Sequence, residues 1–236
     1  MKEFHSVLLC FIVACCFISC KNGIEQKKEI PIQDSTVIIQ SQTPIDTTVD
    51  KEVGLDTESG TFNIEAPSTI NWTASDPSST HIGTVDISSG TIEIKNGKIL
   101  NGNFIINMKS IHSTDLSVDD GKERLEKHLS SADFFNVQSH PEAKVTIKKS
   151  ILIKANDKTR HHIIADLTIK NITKPIEFDA FIIASNNGKL LTATTPSFEI
   201  NRTLYDIKFR SGLLNTVKDK IISDKIGIVV NLRAKK

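Results

Sequence analysis

Residues 90–109 read "GTIEIKNGKILNGNFIINMK". Apolar and polar residues alternate on both sides of Asn96-Gly97. Successive side chains of a strand point to opposite faces, so this alternation describes a strand with one apolar face. Asn-Gly tolerates the positive φ angles of a type I′ turn, whose twist suits two antiparallel strands. The stretch is therefore expected to be a hairpin. After a second Asn-Gly, Asn101-Gly102, the residues Phe104, Ile106 and Met108 share a face.

The same period of two runs along the chain. "TFNIEA" and "TINW" place Phe62 with Ile64 and Ile70 with Trp72. "KVTIKKSILIK" alternates, and "HHIIADLTIK" aligns Ile163, Ala165, Leu167 and Ile169. "KPIEFDAFII" aligns Ile176, Phe178, Ala180 and Ile182. "NNGKLLTATTPSFEI" brings a third Asn-Gly, and "KIGIVVNLRA" puts Ile226, Ile228, Val230 and Leu232 in step. The exception is "VDDGKERLEKHLSSA", residues 118–132, where Leu125 and Leu129 fall at i, i+4. A short helix is expected there, with Asp119 and Asp120 as capping acids. A second short turn is expected near 217–223. About eight antiparallel strands with one or two short helices make an all-β domain over residues 59–236. Periodicity alone leaves sandwich and closed barrel open.

The N-terminus has another character. "MKEFHSVLLCFIVACCFISC" pairs the basic Lys2 with an apolar run from Val7 to Ile18, too short to span comfortably. Residues 1–19 read as a secretory signal ending in a lipobox-like Phe17-Ile18-Ser19-Cys20. Cys20 would then carry the lipid and become the new N-terminus. Cys15, after Ile12-Val13-Ala14, is the rival site. By resemblance to lipoprotein sorting rules, Lys21 points to the outer membrane, facing either the periplasm or the exterior. Residues 20–58 are polar and charged, with Pro31 and Pro44. They read as a flexible linker with a span on the order of 35 Å. All four cysteines precede residue 21, so the domain has no disulfide framework and no thiolate metal site. Net charge is +1 with both signs interspersed, which argues against a nucleic-acid partner.

Four blocks, in order, resemble the YceI family of lipid- and polyisoprenoid-binding proteins. They begin with "STINW" (68–72) and "STHIGTVDISSGTIEIKNGKILNGNFIINMKSI" (79–111), which carries the His-x-Gly of His81 and Gly83. "RLEKHLSSADFFNVQSHPEAKVTI" (124–147) is followed by "IADLTIKNITKPIEF" (164–178) and "FEINRTLYDIKF" (198–209). Departures such as Lys127, Asn136, His140, Asp166 and Asn201 fall on polar positions and leave the apolar alternation intact.

The resemblance implies a lipocalin-like antiparallel barrel holding one apolar ligand, a polyisoprenoid or a fatty-acyl lipid. Candidate ligand contacts are Trp72, Phe104, Ile106, Met108, Phe134, Phe135, Leu167, Phe178 and Phe198. His81 and Arg202 are candidates to orient a polar head group, with His128 as a further polar residue whose structural role is the favoured one. Phe134 and Phe135 sit in a polar loop, and at least one is expected to turn into the barrel. No catalytic constellation, metal-ligand spacing or cofactor motif is apparent. His161 and His162 are adjacent and would face opposite sides of a strand. The sequence thus points to a membrane-tethered lipid binder. The alternative is an envelope-stress or surface interaction module with a filled barrel. The oligomeric state is not legible.

Overall fold

The computed structural model describes residues 55, 58–155, 158–214 and 216–236. The expected signal peptide, Cys20, the rival Cys15 and nearly all of the expected linker lie outside the described residues. Nine strands follow: β1 (Gly60–Ser75), β2 (Thr80–Lys95), β3 (Lys98–Ser113), β4 (Glu142–Ala155), β5 (Lys158–Ile169), β6 (Ile172–Ser185), β7 (Leu190–Thr194), β8 (Phe198–Asn201) and β9 (Lys225–Lys235). One helix, α1 (Lys122–Ser130), lies between β3 and β4. Each strand from β1 to β6 pairs antiparallel with the next, and β9 pairs with both β7 and β1. The sheet closes into a barrel through β9.

Two neighbouring strands share one place in the wall. β7 pairs with the C-terminal half of β9 and β8 with its N-terminal half. Pro196 lies in the break between them and cannot donate to a ladder. Thr195 mends the break from its other side. Its N–H donates to Val230 O at 3.1 Å, and its Oγ1 accepts from the Val230 N–H at 2.9 Å. The barrel therefore has eight wall positions built from nine strands.

The Asn-Gly turns divide in use. Asn96 (φ 48°) and Gly97 (φ 73°) form the expected hairpin, and Asn187 and Gly188 join β6 to β7. Asn101-Gly102 instead lies inside β3, with Gly102 paired to Ile147. A Cβ on Gly102 would meet Ile147 Cδ1 at 2.9 Å, so this glycine serves packing between β3 and β4. "TFNIEA" and "TINW" also merge into one strand, β1, with a register shift between Asn63 and Thr69.

α1 falls where the leucine spacing places it, with Leu129 buried. Its cap differs from the expectation. The N-cap is Gly121 in the left-handed region, with no side-chain cap. Asp120 is occupied by Ser117, whose Oγ donates to Oδ2 at 2.6 Å. The expected turn near 217–223 appears as a short 3-10 helix, Lys218–Lys220. Two more, Arg202–Tyr205 and Gly212–Leu214, precede it.

The two ends of the barrel are unlike. One carries the tight β2–β3 and β6–β7 turns, with Phe62 and Leu55 fully buried. The other is crossed by two covers, the segment from α1 to Pro141 and the segment 202–224 between β8 and β9.

Candidate functional site

The inward faces of the strands do not fill the barrel. A cavity of about 180 Å³ remains, touched by every strand except β7 through large apolar side chains. Trp72 from β1, Phe104, Ile106 and Met108 from β3, Leu167 from β5, Phe178 from β6 and Phe198 from β8 all line it. Among its lining residues only Thr195, Arg202 and Ser223 are polar. Such a space offers no hydrogen bonds to water, and apolar cavities of about 150 Å³ stay dry and accept small hydrocarbons.

Trp72 owes its place to a glycine. A Cβ on Gly83 would collide with the Trp72 indole and with His112 O. Gly83 pairs directly with Trp72, so the bare backbone lets the ring lie across β2. The indole Nε1 donates to Thr84 O at 3.3 Å, which satisfies its polar edge. The glycine of the His-x-Gly pattern is thus a packing requirement of the cavity wall.

The first cover explains the paired phenylalanines. After α1 the chain folds back in a tight turn. Phe134 N–H donates to Ser131 O, Phe135 N–H to Leu129 O, and Asn136 N–H to Ser131 O at 2.8 Å. Asn136 takes φ 45°, a conformation that Asn tolerates better than most residues. In a turn, adjacent side chains need not alternate. Both rings are buried and both line the cavity. Phe134 also packs against the second cover, 5.5 Å from Phe209 between ring centroids.

His128 completes that joint. Its ring stands edge-on to Phe134 at 4.9 Å and to Phe209 at 4.7 Å. Its Nε2 lies 3.3 Å from Asp133 Oδ2. It is absent from the cavity lining and locks the two covers together.

Arg202 is buried and holds the second cover by its guanidinium. Nε donates to Ser223 O at 2.9 Å and Nη1 to Ile207 O at 2.8 Å. Nη2 donates to Ile222 O at 3.0 Å and to Asp224 Oδ1 at 3.2 Å. Four of its five N–H groups are thereby spent on its own chain. Burial pulls its pKa down, and the Asp224 carboxylate pulls it back up. Arg202 does line the cavity, yet its donors organise the cover rather than wait for a head group.

His81 departs from its expected place. It is not among the cavity-lining residues. Its Nδ1 sits 2.8 Å from Asp115 Oδ2, partly exposed. Burial pushes the Asp115 pKa up, but hydrogen bonds from Ser113, His81 and the Ile82 N–H outweigh it and hold it at about 2. The pair ties β2 to the loop after β3. His81 has the inward phase of Gly83, Val85 and Ile87, but it lies at the start of β2, where Asp115 takes its ring. His161 and His162 do separate as adjacent strand residues must, His161 buried and His162 paired outward with Asp179. Among the described residues, no group of three or more His, Cys, Asp or Glu could hold a metal ion.

A seam lies in the wall beside β6. β6 is hydrogen-bonded to β7 only from Phe181 to Ser185, and its first half has no ladder with β8. Side chains close that stretch. Phe178 and Phe198 stack with centroids 4.8 Å apart and planes 13° from parallel. The same two rings line a hollow on the outer surface with His162, Asp179, Pro196 and Ser197. Two aromatic rings therefore stand between the inside and the outside.

Residues 43–234 fit the YceI-like domain. The chain belongs to the YceI-like domain family. Among curated relatives, a UPF0312 protein of Pectobacterium atrosepticum is 38% identical over 71 residues, 30% of this chain and 35% of that protein. One from Pseudomonas putida is 31% identical over 90 residues, 35% of this chain and 45% of that one. The chain thus aligns with less than half the length of these relatives. Among solved structures, Burkholderia cenocepacia BcnA is similar with a TM-score of 0.56 at 16% identity, covering 73% of this chain and 99% of BcnA. A polyisoprenoid binding domain from Saccharophagus degradans has a TM-score of 0.54 at 13% identity, covering 75% and 99%. At such identities the likeness is one of fold.

The YceI-like barrel also uses residues that sequence reading did not single out for the site. Ile226, Ile228, Val230 and Leu232 of β9 line the cavity. Their period of two was visible and assigned them to one face. Ile222 and Ser223 line it too, from a segment whose sequence has no period. Nothing in the local pattern marks them, because Arg202 places them from a distance.

Proposed function

We propose that this YceI-like protein binds one apolar lipid chain, polyisoprenoid-like or fatty-acyl, and carries or sequesters it without chemical change. The observation that carries the reading is the unfilled, carbon-lined cavity. Leaving about 180 Å³ empty costs on the order of 4 kcal/mol, at roughly 24 cal/mol per Å³. A hydrocarbon chain that fills it recovers that term and buries its own surface. The Saccharophagus degradans domain of the same fold, described as polyisoprenoid binding, supports the choice of ligand class. A filled barrel acting only through its surface would have no such void. Native purification followed by organic extraction and mass spectrometry tests the reading. An isoprenoid or acyl species near one per chain is expected. The reading is sunk by a protein that yields none and takes up neither labelled polyprenol nor labelled fatty acid.

The envelope tether is part of the same proposal. Cys20 would carry the lipid that holds the domain at the outer membrane, and residues 21–58 would give it reach. Metabolic labelling with palmitate should survive Cys15→Ser and disappear in Cys20→Ser. Labelling that disappears in Cys15→Ser instead would move the anchor to Cys15.

A further inference from the structure

The second cover has two faces. Inward, Ile222 and Ser223 touch the cavity, and Arg202 pins the segment down. Outward, it presents four large aliphatic side chains between residues 204 and 217. Leu204 is 51% exposed, Leu213 68%, Leu214 56% and Val217 66%. Exposed aliphatics at the turn end are fewer and less bare, Leu100 at 46% being the most exposed. Four in one short segment form a patch of the kind that marks an interaction surface.

The charges around the patch indicate its partner. Lys208, Arg210, Lys218 and Lys220 are exposed on the same segment, against Asp206 and Asp219. Asp206 is engaged by Lys208 at 2.7 Å, and Lys170 donates to the Asp206 carbonyl at 2.9 Å. Aliphatic side chains among basic ones suit the boundary between acyl chains and anionic head groups. A protein partner is less well matched. Lysines are depleted from protein–protein interfaces, which favour aromatic anchors. Both aromatic residues of the patch region are turned inward, Tyr205 fully buried and Phe209 packed onto His128 and Phe134.

The surface is also continuous with the seam. β8 ends at Asn201, where the cover begins, and Phe178 and Phe198 stand between cavity and outer hollow. We infer that residues 204–220 dock on an anionic lipid surface, with Leu213, Leu214 and Val217 inserted and the β6–β8 seam brought to the bilayer. This surface stands independently of what fills the cavity, and its test does not read lipid uptake.

The test uses the full chain carrying Leu213→Trp. The one native tryptophan, Trp72, lines the cavity, so the wild type is measured alongside and the difference in emission reports the patch. It also separates docking of this face from any attachment through residues before 55. With vesicles of phosphatidylcholine and phosphatidylglycerol, emission should shift to the blue and be quenched by brominated acyl chains. Lys218→Gln with Lys220→Gln should weaken partitioning about thirtyfold, at ~1 kcal/mol per lysine. Pure phosphatidylcholine should give a much smaller shift. Unchanged emission while the chain floats with the vesicles overturns the inference. So does a blue shift that appears without vesicles and grows with protein concentration, since a second copy would then cover the patch.

Discussion

His161 is a titratable side chain placed where a charge is costly. It is 1% exposed on the inward side of β5. Its Nδ1 lies 3.1 Å from Ser150 Oγ, and its Nε2 has no hydrogen-bond partner in the structure. Burial therefore pushes its pKa below the ordinary histidine value. The unfolded chain takes up the proton first as pH falls, so stability is full above about pH 6.5 and declines toward the lower folded value. His162 runs the other way. Hydrogen bonding to Asp179, then Glu177, raises its pKa, so its contribution is full below about 6.5 and fades as pH rises. His162 is partly exposed and solvent weakens its share. Urea midpoints of the wild type should fall between about pH 7 and pH 5, and His161→Leu should flatten that fall. An identical pH slope in both would remove His161 as the cause. The sequence separated these two histidines by strand phase alone, but it could not reveal that Nε2 lacks a partner. The same limit applied to His81, where the partner that mattered, Asp115, comes from another strand's end.

Among elements, the strands were legible because each carries its own period, and β9 shows this most plainly. The covers were legible only in part. The leucine spacing located α1, whereas the inward turn of both Phe134 and Phe135 depends on backbone hydrogen bonds to Ser131 and Leu129. The break between β7 and β8 is marked by Pro196, yet its consequence, a seam against β6, appears only when strands distant in sequence are paired. The segment 202–224 was the least legible, since one side chain organises it. Arg202→Met keeps much of the volume and removes four hydrogen bonds, leaving Asp224 and three carbonyls to find other partners. Hydrogen bonds to charged groups contribute about 1.5–3 kcal/mol each, less whatever water restores. A loss of about 3 kcal/mol or more is expected in denaturant unfolding. Hydrogen exchange should show amides of 203–224 opening before those of β1 to β6. A variant of wild-type stability with an equally protected cover would mean that Phe209 and its aromatic partners hold the segment unaided.

At the scale of the whole molecule, the barrel trades packing for capacity. A closed sheet satisfies its backbone without a filled interior, so the fold tolerates a void that a bundle of the same size would collapse. The trade leaves a thermodynamic trace. A ligand that occupies the cavity binds only the folded state and raises its stability. The empty volume corresponds to on the order of 4 kcal/mol. In a domain of 150–250 residues, 1 kcal/mol moves Tm by roughly 2–4 °C. Removing bound lipid should therefore lower Tm by about 10 °C, and reloading with a matching chain should restore it. The size of the shift also reports where the ligand sits. A lipid held only against the exposed leucines of 204–217 would bury little and leave Tm nearly unchanged, whereas a chain inside the wall must stabilise every strand it touches. Calorimetry of delipidated and reloaded protein decides between these. Equal Tm values, with lipid shown to be bound, would place the ligand outside the barrel.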